Sequence, residues 1–564
     1  MAFLIPIIFL ALAFLYFGPA WRAPHLSWIG VSGDPGIYMW FLAWTPFALS
    51  HGRNPFLSTY LHFPHGFNAM WNASMLGPGL VLSPVTALFG PVVSYNLLAT
   101  LELALSGYCA YLVCRTLRLG RLPSLLAGLV YGFSPYLIGQ ASGHPNESFG
   151  YFPALVLLLL YQILVRDGGI LRGVALGALA AFQLVSGEEM LANTAVVASM
   201  GVVLLGLLHR DAAMPRLRRA RAALAAAAGS GVVLSAVPLA YQLLGPRRVG
   251  GYLQTPDRFV SDLWSFAIPG PLLFLHTASS VAVTQQFTGN VPENGAYIGA
   301  PLLVLLVVLG LSQWRDRLTR YFSLLAVLIA LLTMGPHLHI DGHVYHVPLP
   351  WRLLRDLPLL RNALPSRVMV NGWLAIVVLV AIAMQRVLQA PGWRRLAGGA
   401  VVVVALIPLI PLFPFFTTEA ALPAFYKSDV ARIPRDSVIL VTPWNDPVSM
   451  LWQAEAGMRY RVPSGNVYVP GPYNGPESSP LSDRLLLIEN GQPAPRLTAE
   501  DRVNLLADLR RMQVTSVVLG PGPAQTPDAQ LFTQLLLRAP VKTGGVLVWW
   551  STELPQTASV SDQA

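Results

Sequence analysis

Charge is what this sequence has least of. Of its 564 residues, 11% are Asp, Glu, Lys or Arg and 54% are hydrophobic, where a water-soluble chain carries roughly 25% charged residues. That deficit excludes a cytosolic enzyme and a disordered tail protein, and the long uncharged runs read as a multi-pass membrane protein. Lysine is nearly missing. Lys427 and Lys542 are the two present, so arginine supplies the other 35 of the 37 basic residues. With abundant Ala, Gly and Pro, this bias points to a GC-rich bacterial genome. Cysteine is equally scarce: Cys109 and Cys114 lie five apart in one apolar run. They share no helix face, so free thiols are expected and a secreted disulfide scaffold is excluded. No G-x-x-x-x-G-K-[ST] loop, G-x-S-x-G elbow, H-E-x-x-H helix or paired C-x-x-C is present. ATP-driven transport and zinc proteolysis therefore lack a motif. A net charge of +10 would suit nucleic acid, but most arginines sit at the ends of apolar runs, where they set topology.

What is there is apolar and periodic in charge. Eleven spans are read near 1–21, 94–114, 122–140, 149–165, 170–186, 190–208, 222–244, 295–314, 321–335, 368–385 and 396–416. Each approaches the roughly 20 residues that cross a bilayer core. The first lacks a basic leader and has a poor cleavage site at Pro19-Ala20, so it reads as an uncleaved helix rather than a signal peptide. With the N-terminus in the cytoplasm, the inside loops are 115–121, 166–172, 209–221, 315–320 and 386–395, and every one carries arginine. The outside connections 141–148 and 187–189 carry no Lys or Arg. This obeys the positive-inside rule and predicts an inner-membrane protein, N-terminus inside and C-terminus outside.

Three long segments, 22–93, 245–294 and 336–367, then lie outside with the tail 417–564. Within the first, the apolar stretch 78–92 is broken by Pro78, Pro84 and Pro91 and is expected along the outer interface. The tail differs in composition from 1–416. It holds β-branched runs such as Val438-Ile439-Leu440-Val441 and Thr515-Ser516-Val517-Val518-Leu519, and a helical run from Thr498 to Met512 opened by a capping signal. It reads as a small extracytoplasmic α/β or α+β domain. Tyr468, Tyr473, Trp549 and Trp550 are aromatics that could meet a glycan, although the last two end the run Val546-Leu547-Val548 read as a strand, where core packing competes.

Chemistry concentrates in the outside segments. Asp34 stands in Ser32-Gly33-Asp34-Pro35-Gly36, just before Tyr38, Trp40, Phe41 and Trp44. Its carboxylate could take a proton from a sugar hydroxyl; the same residues would also make a turn and an interfacial aromatic belt. His62 and His65, three apart across Pro64, read as polar loop histidines or hydrogen-bond donors to a substrate. His144 and Glu147 share a short outside loop, and Glu147 enters the next helix, where its charge suits the helix dipole. Glu102 lies well inside a span, where an ionisable group is costly and functional by default. Glu188, Glu189, Glu293 and Asp341 also fall outside. Arg352, Arg355, Arg361 and Arg367 cluster in the third segment. Arg367 opens a helix, where the dipole disfavours a cation unless an anion is present. Arg361 and Arg367 therefore read as a phosphate clamp or as anchors to anionic headgroups.

Taken in order, these elements resemble the GT-C superfamily of multi-pass glycosyltransferases, which use polyprenyl-phosphate-linked sugars, and within it the bacterial, protein-mannosyltransferase-like members. The matching residues are Gly33-Asp34, Pro64-His65-Gly66, Tyr95-Asn96-Leu97-Leu98, Phe133-Ser134-Pro135, Gly143-His144, Glu293-Asn294 with Tyr297-Ile298-Gly299, Arg361 with Pro365-Ser366-Arg367, and Trp452-Gln453 with Gly457. The resemblance implies an inverting transfer of a hexosyl or pentosyl group to an envelope glycan, lipid or protein. Asp34 would be the base, and Glu147 a second acid. His62, His65, His144, Glu102, Glu293, Arg361 and Arg367 would bind substrate. Many members carry paired acids in the first loop; here Pro35 follows Asp34, so no metal ligand is assigned and a divalent cation stays open. A transporter or lipid flippase, or a non-catalytic envelope-assembly protein on the same scaffold, are the competing readings; no internal repeat supports transport.

Overall fold

The computed structural model describes residues 4–357, 360–471 and 477–550; Tyr473 lies outside them. The described chain is mainly helical and divides into two compact units. One takes Met1–Val31, Asn96–Val237 and Tyr252–Thr418, and the other Ser32–Tyr95, Pro238–Gly251 and Glu419–Ala564. Most of the first long loop therefore belongs with the tail, and the domain boundary at 416 does not describe it. Composition separates apolar from polar residues; it does not report which segments touch.

In the first unit a helix occupies each apolar segment read there. Among the described residues, six helices are long and apolar enough to cross a membrane: Ser83–Thr116, Arg121–Ala141, Pro145–Val165, Glu188–Leu208, Ala213–Leu244 and Pro365–Gln389. Leu4–Tyr16, Ile170–Leu184 and Ala300–Ser312 are shorter apolar helices. Met369–Gln389 is the central one. Every residue from Met369 to Ala383 is buried, as suits a helix that is apolar all round. It packs on Arg121–Gly132, Arg317–Thr333 and Trp393–Leu406. Small residues let other helices close in. A Cβ on Gly128 would sit 2.6 Å from the Gly107 carbonyl oxygen, and one on Gly173 would sit 1.9 Å from that of Ala223.

Three boundaries differ from the expected ones. The segment 78–92, read as broken by its prolines, is helical. Leu76–Val81 precedes a helix that runs Ser83–Thr116 and breaks only at Gly90, where φ is 86°. Pro84 falls in a first turn and Pro91 directly follows the break, both positions where proline's missing N–H costs little. The basic loop expected at 209–221 is the start of the continuous helix Arg210–Leu244, since arginine and alanine are strong helix formers. The last apolar helix stops at Leu406, ahead of Pro408 and Pro411. The chain then returns to the strand Ser27–Ile29, where Gly30 N–H donates to the Phe416 carbonyl at 3.1 Å.

The second unit centres on a four-stranded sheet. Val438–Thr442 runs parallel to Val514–Leu519, which pairs antiparallel with Val546–Trp549, itself antiparallel to Val541–Thr543. Leu440, Trp444, Leu485, Leu509, Phe532 and Trp549 form its core. Helix Ala499–Arg511 begins at a reciprocal cap: Thr498 Oγ1 accepts from Asp501 N at 3.1 Å and Asp501 Oδ2 accepts from Thr498 N at 3.0 Å. Trp549 is core, whereas Trp550 lies 3.9 Å from the Arg432 guanidinium. Helix Pro35–Ser50, from the first loop, packs on Pro447–Glu455; a Cβ on Gly36 would sit 2.3 Å from the Pro447 carbonyl oxygen. Gln453 is fully buried. Its Oε1 accepts from Trp40 Nε1 at 2.6 Å, and its Nε2 donates to the carbonyls of Tyr60 and Tyr460 at 3.0 and 2.8 Å.

Candidate active site

In the first unit, four connections at one end of the helices assemble a buried ionic cluster. Ser134 caps helix Pro135–Ala141, whose end leads to the turn Pro145–Glu147. That loop is held on three sides. Val31 N–H donates to the Ser142 carbonyl at 2.7 Å, Gln140 Nε2 donates to the Pro292 carbonyl at 3.3 Å, and Gly187 leaves room for the Asn146 carbonyl. Glu293 sits in a turn whose N–H donates to Asn290 Oδ1 at 3.1 Å. Arg367 lies in the turn Pro365–Val368 that opens Met369–Gln389.

These turns aim three carboxylates at one guanidinium. Arg367 Nη2 meets Glu293 Oε1 at 2.6 Å and Nη1 meets Glu189 Oε2 at 2.6 Å, with Glu147 Oε1 3.3 Å from Nη1. Arg367 Nε adds a bond to Glu293 at 3.0 Å. His144 Nδ1 lies 3.4 Å from Glu293 Oε1, and Gln140 Nε2 donates to Glu293 Oε2 at 3.1 Å. Asn146 Nδ2 donates to Glu147 Oε1 at 2.9 Å, while Glu147 Oε2 has no hydrogen-bond partner among the described residues. Glu147 and Glu293 are buried. Burial alone would raise the Glu293 carboxyl, but Arg367, then His144 and the hydrogen bonds, hold it below the ordinary range.

The anions beside Arg367 at its helix start are, among the described residues, carboxylates of the chain itself. Three carboxylates also exceed one cation, so a proton shared within the group is the cheap way to balance them. A divalent cation does not fit this arrangement. The carboxylates converge on the guanidinium, and among the described residues no three His, Cys, Asp or Glu side chains are disposed to hold a metal.

The other expected site residues fall elsewhere. Asp34 belongs to the second unit and is exposed just ahead of helix Pro35–Ser50, after Gly33 at φ 102°. Its aromatic neighbours are not open sugar platforms: Tyr38, Trp40, Phe41 and Trp44 are buried, and Trp40 stacks on Trp44 at 5.3 Å. His62, in the same unit, is buried with Nε2 2.7 Å from the Gly465 carbonyl, and burial lowers its imidazole to about 4. His65 faces Glu477 at 3.9 Å. Glu102 is buried inside helix Ser83–Thr116, and neither carboxyl oxygen has a partner among the described residues. Arg361 is exposed, with its guanidinium 5.5 Å from the Tyr252 ring, while Arg355 takes Asp356 at 3.5 Å. The arginines of that segment thus take separate partners rather than forming one clamp.

Glu189, placed outside by the sequence but given no role there, joins the cluster with Gln140 and Asn146. For Glu189 a signal existed, two adjacent acids at a helix start in a chain with only 27. A second group is His337 and His339 on one strand face, both near Asp257, at 3.0 and 3.6 Å.

No protein-family model and no curated protein matches the chain. Solved structures do. Arabinofuranosyltransferase AftD from Mycobacteria superposes with a TM-score of 0.59 at 15% identity, over 97% of this chain and 41% of that one. The archaeal oligosaccharyltransferase AglB from Archaeoglobus fulgidus, in complex with an inhibitory peptide and a dolichol-phosphate, gives a TM-score of 0.51 at 10% identity, over 95% of this chain and 70% of that one. The chain spans less than half the length of AftD. The fold is that of the GT-C membrane glycosyltransferases.

Proposed function

We propose that the protein is an integral membrane glycosyltransferase that moves a sugar from a polyprenyl-phosphate-linked donor to an envelope glycan, lipid or protein. The observation that carries this reading is the fold, shared over nearly the whole chain with a glycosyltransferase at a TM-score of 0.59. The positive-inside pattern supports eleven spans with the N-terminus in the cytoplasm and the tail outside. The carboxylate cluster then lies on the outer side.

In this mechanism the exposed Asp34 accepts the proton of the acceptor hydroxyl. The freed oxygen attacks the anomeric carbon, and the carbon–oxygen bond to the lipid phosphate breaks with its electron pair going to the phosphate. The configuration inverts. Arg367 is already saturated by carboxylates, so it and Glu147, Glu189 and Glu293 act as positioning residues that fix the 361–367 segment.

The test is sugar transfer in proteoliposomes with radiolabelled polyprenyl-phosphate sugars and a membrane extract as acceptor. Transfer by wild type and none by a folded Asp34→Asn variant supports the reading; equal transfer by both removes Asp34 from the mechanism. One observation favours a second reading, transport: the unpartnered Glu102 within a span. Loss of solute or lipid movement in Glu102→Gln, with no sugar transfer by wild type, would favour it.

A further inference from the structure

An apolar groove of about 350 Å³ runs along the first unit. Its walls come from helices Tyr151–Val165, Glu188–Leu208, Arg317–Thr333 and Met369–Gln389. Leu157, Leu160, Val197, Leu205, Phe322 and Leu374 line its length, and Gly201 and Ala198 keep it open. The two ends differ in charge. Pro153, Thr194 and Asn371 mark one end, and they follow Glu147, Glu189 and Arg367 by one to two helical turns, so this end adjoins the carboxylate cluster. His209, Arg216 and Arg317 mark the other.

Arginines outnumber acids at that second end, where Asp211 and Asp316 are the carboxylates nearest in sequence. No ion pair holds Arg216, Arg317 or Arg320 among the described residues, and Arg320 Nε is buried without a hydrogen-bond partner. Burial, then Arg317, Arg216 and Arg320, push the His209 imidazole below its ordinary range. Only positive neighbours contribute there. A hydrocarbon groove closed at one end by guanidinium groups and adjoining carboxylates at the other selects a ligand by polarity. An anionic headgroup is favoured beside Arg216 and Arg317 and repelled at the far end, and the walls take the chain.

We infer that this groove holds an acidic phospholipid, its phosphate headgroup on Arg216 and Arg317 and an acyl chain between the four helices. The site is distinct from the one proposed for the sugar donor, whose phosphate would lie at the opposite end. It places a lipid of the leaflet facing the basic ends against the helices that carry Arg367, Glu147 and Glu189.

Native mass spectrometry of the detergent-solubilised full chain tests this. The probes are phosphatidylglycerol and phosphatidylcholine with identical palmitoyl and oleoyl chains, offered in equal amounts. One phosphatidylglycerol should be retained with a preference of about tenfold or more. Arg216→Ala with Arg317→Ala should remove the preference, Arg218→Ala with Arg394→Ala should keep it, and Ala198→Trp should remove retention of both lipids. Equal retention of the two lipids by wild type would overturn the inference. So would an undiminished preference in the Arg216→Ala and Arg317→Ala variant. Undecaprenyl phosphate displacing phosphatidylglycerol at stoichiometric amounts would also overturn it, by making the groove a donor site. Unchanged elution and thermal midpoint in the arginine variant separate lost binding from lost folding.

Discussion

The two units bury carboxylates in opposite ways. In the first, Glu147, Glu189 and Glu293 surround Arg367, and the cation holds Glu293 below its ordinary range. In the second, Glu489 and Asp528 have no guanidinium partner among the described residues, and burial raises both to about 7. Burial is common to both, so the difference between Glu293 and the two acids of the second unit isolates what Arg367 does to the carboxylate it binds most closely. It converts a cost of desolvation into a fixed ionic frame. Asp34 is neither kind, being exposed ahead of helix Pro35–Ser50. A base that must meet substrate and a charge that must hold a fold are served by different surroundings.

Removing the cation should have the largest effect. Arg367→Met leaves three carboxylates facing one another and should cost about 3–5 kcal/mol, seen as loss of a monodisperse folded peak after extraction. Adding Glu189→Gln and Glu293→Gln should recover part of it. A single Arg367→Met protein that melts like wild type would show that the cluster does not hold the segment. Next comes Asp34→Asn, which should lower sugar transfer about 10²–10⁴-fold and leave the thermal midpoint unchanged.

A finer cut separates the three acids. Glu293 accepts from Arg367 Nε and Nη2 and from Gln140, so Glu293→Gln should destabilise by about 1.5–3 kcal/mol. Glu147 sits farther out at 3.3 Å with one oxygen unpartnered. Glu147→Gln removes a surplus negative charge and should be neutral or slightly stabilising. Thermal midpoints of the two variants side by side decide this; the reverse order would mean that Glu147 is the acid Arg367 chiefly neutralises.

Much of this was legible in the sequence, for identifiable reasons. The helices of the first unit were readable because a span must be apolar over its length and its flanking arginines mark one end. Helix Ala499–Arg511 was readable from its Thr498 cap. The candidate residues His144, Glu147, Glu293 and Arg367 were each visible as polar groups in connections outside the apolar runs, yet their meeting was not. It depends on turns held by Gly187 and by the Ser142 carbonyl, which no spacing reveals. The buried role of Trp40 and Trp44 was equally hidden, because Gln453, which accepts from Trp40, lies about four hundred residues away, and Trp44 stacks on Trp40. An aromatic run after an acid looks the same whether it faces a sugar or a core.

The smallest effect concerns the second unit alone and reads out in pH. Glu489 accepts from the backbone N–H groups of Trp444 and Asn445, and these bonds only partly offset burial and the nearby Asp528. Asp528, at the start of helix Gln525–Leu536, is buried too, and the Thr442 hydroxyl lowers it only in part. Unfolded, both carboxyls lose their protons near pH 4; folded, they keep them to about 7. Between those values the folded chain binds more protons, so stability falls as pH rises through that window and is level above it. Glu489→Gln keeps an acceptor for both N–H groups and removes the titration. It should gain about 1–2 kcal/mol at pH 8, allowing for partial solvent screening, and nothing at pH 4. Tryptophan fluorescence melts at the two pH values measure this, since Trp444 adjoins the group. A variant that keeps the wild-type slope would mean that Glu489 is already ionised in the folded chain. The contrast with Glu293 would then rest on Asp528 alone, and Asp528→Asn becomes the variant that must flatten the curve.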